Sequence, residues 1–220
     1  METTSVHVDK YGTVLKNIND GDNHVYEHDD AKSKADVDKK YSAKNTGAGG
    51  KDIGELGGKI DANNIIKNLL TKDIGIAKGI WNPFTFKGLV QDHGAWDFKN
   101  NTSTVFGVAE QFMKNGGGET QFQFGKLSMS AEDFGNFHYG VVGDATGLFG
   151  EGTLLMQAGR AQISSGTSRP EWQKTTLNTV TDRWGHRDSQ RVPAPPYGDD
   201  PADQKMIQNG FNYYNSTTGN

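Results

Sequence analysis

Hydrophobic positions along this chain change period several times, and the changes divide it into segments. Residues 5–28, "SVHVDKYGTVLKNINDGDNHVYEH", alternate apolar and polar side chains around "KYG" and "NDGDN". The alternation predicts three short strands joined by two hairpin-like turns. Residues 29–50, "DDAKSKADVDKKYSAKNTGAGG", lose it and become charged, then small and polar, which reads as a flexible linker. At "DANNIIKNLL" the period becomes helical: Ile65, Ile66, Leu69 and Leu70 share a face, and Asp61 stands where a cap is needed. The aromatic stretch "GIWNPFTFKGLVQDHGAWDFKN", broken by Pro83 and several glycines, is expected to pack as irregular structure. In "ETQFQFGKLSMS", Phe122, Phe124, Leu127 and Met129 alternate with polar residues, predicting a strand with a bend or bulge at Gly125.

The C-terminal half is written in helical periods. Ser130 followed by Asp133 has the form of an N-cap with an acidic first turn. Phe134, Phe137, His138, Val141 and Val142 then fall on one face. In "EGTLLMQAGRAQISSG", Leu154, Leu155, Ala158 and Ala161 are small or apolar, while Gln157, Arg160 and Ser164 mark another face. Gly159 is unfavourable inside a helix, so it points to close approach by another segment. "PAPPYG" is rigid and extended. Asp200 ahead of Pro201, with Asp203 two residues on, starts a last helix that buries Met206, Ile207, Gly210, Phe211 and Tyr214. The fold class is therefore expected to be α+β: a helix-rich domain over residues 51–220 with a short antiparallel β element, preceded by a β-rich lead segment, 1–28, and a linker, 29–50.

Composition adjusts this picture. A hydrophobic content of 33% with 29 glycines predicts a loop-rich domain. The net charge of −4 argues against holding duplex nucleic acid on a broad basic face, though not against a nuclease with a local cleft. With no cysteine, disulfides, thiol catalysis and cysteine zinc sites are excluded. No apolar run is long enough for membrane insertion and no signal-peptide pattern opens the chain, so export is expected through a larger parent or a dedicated machinery.

Candidate chemistry centres on few side chains. His138 lies on an apolar stripe and reads either as a core histidine or as an acid–base group on the floor of a cleft. Arg160 is either a surface cation or a fork for a phosphate or a developing oxyanion. Asp199, Asp200 and Asp203 place three carboxylates within five positions, as a metal site would, but helix capping explains them with less. His7, His24, His28, His93 and His186 form no zinc-binding pattern. His93 and Asp97 are spaced as a pair, with Gly94 between them arguing for a loop.

Taken in order, "WDFK" (96–99), "DFGNFHYGVVGDATGL" (133–148), "LLMQAGRAQ" (154–162), "GTSRPEW" (166–172) and "PPYGDDPADQKMIQNGFNYY" (195–214) resemble the bacterial polymorphic toxin type 44 family. The segment before them resembles the part that precedes such toxins in Rhs-repeat proteins. The resemblance implies an interbacterial effector carried by a parent Rhs protein and its secretion machinery, delivered into a target cell, and held inactive in the producer by a cognate immunity protein. It also implies a ribonuclease acting on RNA. The family's polar positions would fall on Asn136, His138, Tyr139, Gln157, Arg160 and the Asp199, Asp200 and Asp203 group.

On that reading the enzyme needs no metal and no cofactor. His138 would move a proton, Tyr139 would serve as second acid or stack on a base, and Arg160 with Gln157 would stabilise the phosphorane. Asn136 completes the catalytic set; Asp133, Asp199, Asp200 and Asp203 would bind substrate. Two other classes stay open. One is an envelope toxin such as a peptidoglycan hydrolase, pairing Glu132 or Asp133 with an aspartate from 199–203. The other is a non-enzymatic binding module in which His138 is simply core.

Overall fold

Alternation in the first residues produces β1 (Thr4–Asp9), β2 (Val14–Asn19) and β3 (His24–His28) in a computed structural model that describes residues 4–29, 34–40 and 50–218. β1 and β2 form the hairpin predicted around "KYG". Gly12 supplies its positive φ of 76°, and the Asp9 carboxylate accepts from the amides of Tyr11 and Thr13 at 2.8 and 2.9 Å. The second turn makes no hairpin: β3 pairs in parallel with β1, on the side away from β2. Burial explains the choice. β2 is half exposed along its length, whereas Val6, Val8 and Val25 are fully buried, so the apolar strand pairs with the apolar strand.

The chain divides into two compact units, residues 1–135 and 136–220. In the first, β4 (Lys51–Glu55), β5 (Lys59–Asp61), β6 (Gln121–Phe124) and β7 (Leu127–Met129) complete a seven-stranded mixed sheet of order β2-β1-β3-β4-β5-β6-β7. The segment expected to be one bent strand is thus a hairpin, turning at Gly125 with φ 58°. The antiparallel β element shares one sheet with the strands of residues 4–28. A helix, α1 (Lys34–Lys40), falls inside the stretch read as linker; residues 30–33 and 41–49 of that stretch lie outside the described residues.

Helices α2 (Asn63–Lys78), α3 (Pro83–Val90) and α4 (Val105–Lys114) belong to the same unit. Ile65, Ile66, Leu69 and Leu70 are buried on α2 as their spacing predicts. The Asp61 carboxylate accepts from the Asn63 backbone at 3.3 Å, beside an N-cap position held by Ala62. The aromatic stretch is more regular than expected, because Asn82 caps α3 by accepting from Phe84 N at 2.9 Å and Pro83 presets the first turn. Phe106 stacks on Phe134 with centroids 4.0 Å apart and meets Phe122 at 4.6 Å, and the three are fully buried.

Helix α5 (Ala131–Ala145) begins with the predicted cap: Asp133 N donates to Ser130 Oγ, and Ser130 N donates to the Asp133 carboxylate, both at 3.0 Å. The second unit continues with α6 (Glu151–Ser165), a hairpin of β8 (Thr175–Thr181) and β9 (Arg187–Pro193), and α7 (Pro201–Thr218). α5 and α7 cross at glycines. A β-carbon on Gly140 would sit 2.1 Å from the Ile207 carbonyl oxygen, and one on Gly210 2.2 Å from that of Phe137. Gly159 is likewise pressed on another segment, 2.3 Å from the Tyr197 carbonyl by the same measure. The fold is α+β. Among the described residues no helix is long and apolar enough to cross a membrane.

Candidate functional site

The turn before α7 brings the polar side chains of the second unit together. Residues 194–200 are folded tightly: Tyr197 N donates to Ala194 O at 2.8 Å and takes φ 62°, a region a tyrosine rarely occupies. Gly198 and Asp199 are carried inward by this turn. Ser168 Oγ donates to Gly198 O at 2.5 Å, and Asp200 N donates to Gln162 Oε1 at 2.6 Å, fastening the turn to α6 and its C-terminal extension. Asp200 then starts α7, its carboxylate accepting from Ala202 N at 2.9 Å.

Asp199 is the consequence of that turn. Its side chain is 4% exposed, and its Oδ2 has no hydrogen-bond partner among the described residues. Burial first, and the neighbouring Asp203 charge second, push its pKa up to about 7, against a smaller opposing effect of the Gln204 side chain. Asp203 in turn accepts from the Asn136 side-chain amide at 2.9 Å. Tyr139 stands one helical turn along from Asn136, donating its hydroxyl to Leu154 O at 3.2 Å. Burial and the charge of Asp199 raise the phenol pKa, so it stays a neutral donor. Gln204 is held rigidly by its own donations to Pro196 O at 2.8 Å and Leu155 O at 3.2 Å.

Asn136, Tyr139, Asp199 and Asp203 are therefore gathered, with Gln204 added. A buried carboxyl that titrates near neutrality beside a second carboxylate can both give and take a proton at physiological pH. His138 is placed differently: it is 1% exposed, on the face of α5 with Phe134, Phe137, Val141 and Val142. Gln157 and Arg160 are exposed on α6. Asp133 is committed to the cap of α5, and Glu132 pairs with Lys99 at 2.5 Å. His93, at φ 60°, donates its backbone N–H to the Asp97 carboxylate at 2.7 Å, so that pair builds a loop. Among the described residues no three His, Asp or Glu side chains converge as a metal-binding group.

One further contributor carries a weaker signal in the sequence. Gln204 lies one turn after Asp200 on the buried face of α7, which is a readable sign of a polar group with a task.

An α+β fold with a carboxyl cluster in its second, helical unit describes a class with the equipment for acid–base chemistry. Residues 85–216 match the family described as bacterial toxin 44, and the chain belongs to that family. Asn136, Tyr139, Asp199, Asp203 and Gln204 all fall inside the matched span. No curated protein and no solved structure matches the chain.

Proposed function

We propose that this bacterial toxin is a metal-independent ribonuclease in which Asp199 is the acid–base group. The observation that carries the reading is the Asp199 carboxyl, buried beside Asp203 and titrating near 7. RNA as substrate follows from the resemblance to type 44 toxins. In transphosphorylation, the carboxylate form of Asp199 takes the 2′-hydroxyl proton as that oxygen attacks phosphorus, and the protonated carboxyl returns it to the departing 5′-oxygen. Asp203, fixed by Asn136, tunes that exchange by its charge. Arg160 and Gln157, exposed on α6, stabilise the phosphorane, and Tyr139, which keeps its proton, donates a hydrogen bond to it. His138 keeps the packing of α5 and positions Tyr139 beside it.

The toxin domain is taken as residues 51–220, after a lead segment, 1–28, and a linker, 29–50. Delivery is by an Rhs parent into the target cell, and an immunity protein guards the producer. The paired carboxylates also favour a second reading, hydrolysis of an envelope glycan, in which one acid protonates the leaving oxygen and the other serves as base or nucleophile.

Brief cytoplasmic expression of the chain beside Asp199→Asn, at equal soluble level, tests both. Fragmented RNA with the parent and intact RNA with the variant is the expected result. Intact RNA with the parent, together with lysis only on export to the periplasm, would replace the ribonuclease by the glycan reading.

A further inference from the structure

The hairpin β8–β9 is exposed along almost its whole length, although an isolated two-stranded ribbon is marginal without another surface to cover it. Its register sorts its charges. Leu177 pairs with Arg191, Thr179 with Ser189 and Thr181 with Arg187, so the two arginines share one face. That face carries hydroxyls and no acid, since Asp188 pairs with Val180 on the other. Side-chain contacts agree: Thr179 and Ser189 hydroxyls are 2.8 Å apart, and Arg191 donates to Thr175 Oγ1 at 3.3 Å. Asp182, the acid at the tip, is occupied in holding the turn, accepting from the backbone of Trp184 and His186 at 2.8 and 2.9 Å. Trp184 at the tip is 71% exposed, with the Arg183 guanidinium 4.8 Å from its ring.

We infer that the arginine face of this hairpin is a binding surface for a single strand of RNA, with Trp184 as a stacking platform at its end. The occupant follows from charge and shape. The chain as a whole carries −4, so a local acid-free face with two guanidiniums is a departure that suits a polyanion. Arg187 and Arg191 are four residues apart, about 13 Å along the strand, which spaces them for separate phosphates of one extended backbone. Serine and threonine hydroxyls add donors to phosphate and 2′-hydroxyl oxygens, and an indole stacks on any base. The inference takes its substrate from the ribonuclease reading and adds where the strand is held.

The test measures binding of a fluorescein-labelled single-stranded 2′-O-methyl oligonucleotide, which cannot be cut through its 2′ oxygen, to the full chain by anisotropy across a salt series. Arg187→Gln with Arg191→Gln is expected to weaken binding at least tenfold. The same double variant lowers the log–log salt slope by about 1.4, from roughly 0.7 per phosphate on a single strand. A charge-matched control, Lys67→Gln with Lys205→Gln, is expected to stay within about twofold. Equal loss in the two double variants overturns the inference. So does a parent that ignores the oligonucleotide and binds poly-glutamate instead, which would make the face a protein dock. RNA cleavage is scored separately. Binding through the hairpin without cleavage would sink the ribonuclease reading and leave the surface standing. Cleavage whose KM is unmoved by the arginine variant would do the reverse.

Discussion

Asn136 donates its side-chain amide to Asp203 at 2.9 Å, joining the second turn of α5 to the first turn of α7 just past Asp199. The bond fixes the carboxylate whose charge helps keep Asp199 protonated near neutrality. Asn136→Ala frees Asp203 and leaves its carboxylate less firmly placed. If Asp199 is the acid–base group, the pH profile of RNA cleavage in this variant should move, not merely drop. The expected displacement is roughly 0.5–1 pH unit, since one unit corresponds to about 1.4 kcal/mol of altered interaction. Cleavage followed from pH 5 to 9 checks it; a profile of unchanged shape would assign Asn136 to stability alone.

The crossing of α5 and α7 depends on absent side chains. Gly140→Ala places a methyl 2.1 Å from the Ile207 carbonyl oxygen, so one helix must shift. Overpacking of about 1–3 kcal/mol outweighs the roughly 1 kcal/mol that alanine gains in a helix. Gly135→Ala, with no heavy atom within 4 Å of the new carbon, meets no such obstacle and is expected to stabilise by up to about 1 kcal/mol. Urea unfolding of the two variants should therefore shift in opposite directions.

Asp133 suits two roles by its position in the sequence, helix start and substrate ligand, and its contacts favour the first. Ser130→Ala removes both bonds of the serine hydroxyl, and Asp133→Ala removes both bonds that its carboxylate accepts from Ser130. Each should cost about 1 kcal/mol of stability. Activity per folded molecule should remain within about twofold for both, as for a change that touches stability alone. A tenfold loss confined to Asp133→Ala would return that carboxylate to the substrate.

His138 and Arg160 should separate by the kind of damage they cause. His138→Ala empties a site that is 1% exposed, and about 2–4 kcal/mol is the range for emptying a buried side chain. Arg160→Gln changes an exposed side chain, so its stability effect should stay within about 0.5 kcal/mol. Cleavage by Arg160→Gln should nonetheless fall at least tenfold if the guanidinium meets the phosphorane. Thermal unfolding and cleavage rates measured on the same preparations distinguish the two patterns.

What the sequence made legible follows from how local each signal is. The α5 cap, the buried face of α2 and the helix start at Asp200 and Pro201 rest on neighbours within one turn, and each is seen in the structure. The close approach at Gly159 was also readable, because a glycine inside a helix weakens it unless a neighbouring segment needs the space of a side chain. The pairing of β3 with β1 was not, since a parallel partner is chosen by burial across the sheet and not by the intervening turn. Asp199 was visible only as one of three acids. Its burial, with Oδ2 left without a partner, comes from a turn held by the Ala194 and Gln162 contacts, which join positions too far apart in the chain to form a readable local pattern. The exposed hairpin was hidden because "TTLNTVT" and "RDSQRVP" bury no face that would give them a hydrophobic period.

Two buried groups should pull stability in opposite directions with pH. The native pKa of Asp199 is raised from 3.8 to about 7, so between those values the native state holds a proton that the unfolded chain has released. Its contribution is therefore fully present below about pH 4 and is lost as pH rises through about 7. His7, fully buried and hydrogen-bonded through Nδ1 to His28 Nε2 at 2.8 Å, is lowered from 6.5 to about 4, by burial first and the His28 charge second. Between about pH 4 and 6.5 the unfolded chain holds the extra proton, so this contribution grows as pH rises. At full extent the effect is on the order of 4 kcal/mol for Asp199 and 3 kcal/mol for His7. In the parent they offset one another from about pH 4 to 6.5, leaving a decline above it. Asp199→Asn should unmask a rise in stability over that range, and His7→Asn should unmask a fall that continues to about pH 7. Urea midpoints at half-unit pH intervals for the three proteins check both signs. A parallel shift of all three curves would show that neither group is perturbed by folding.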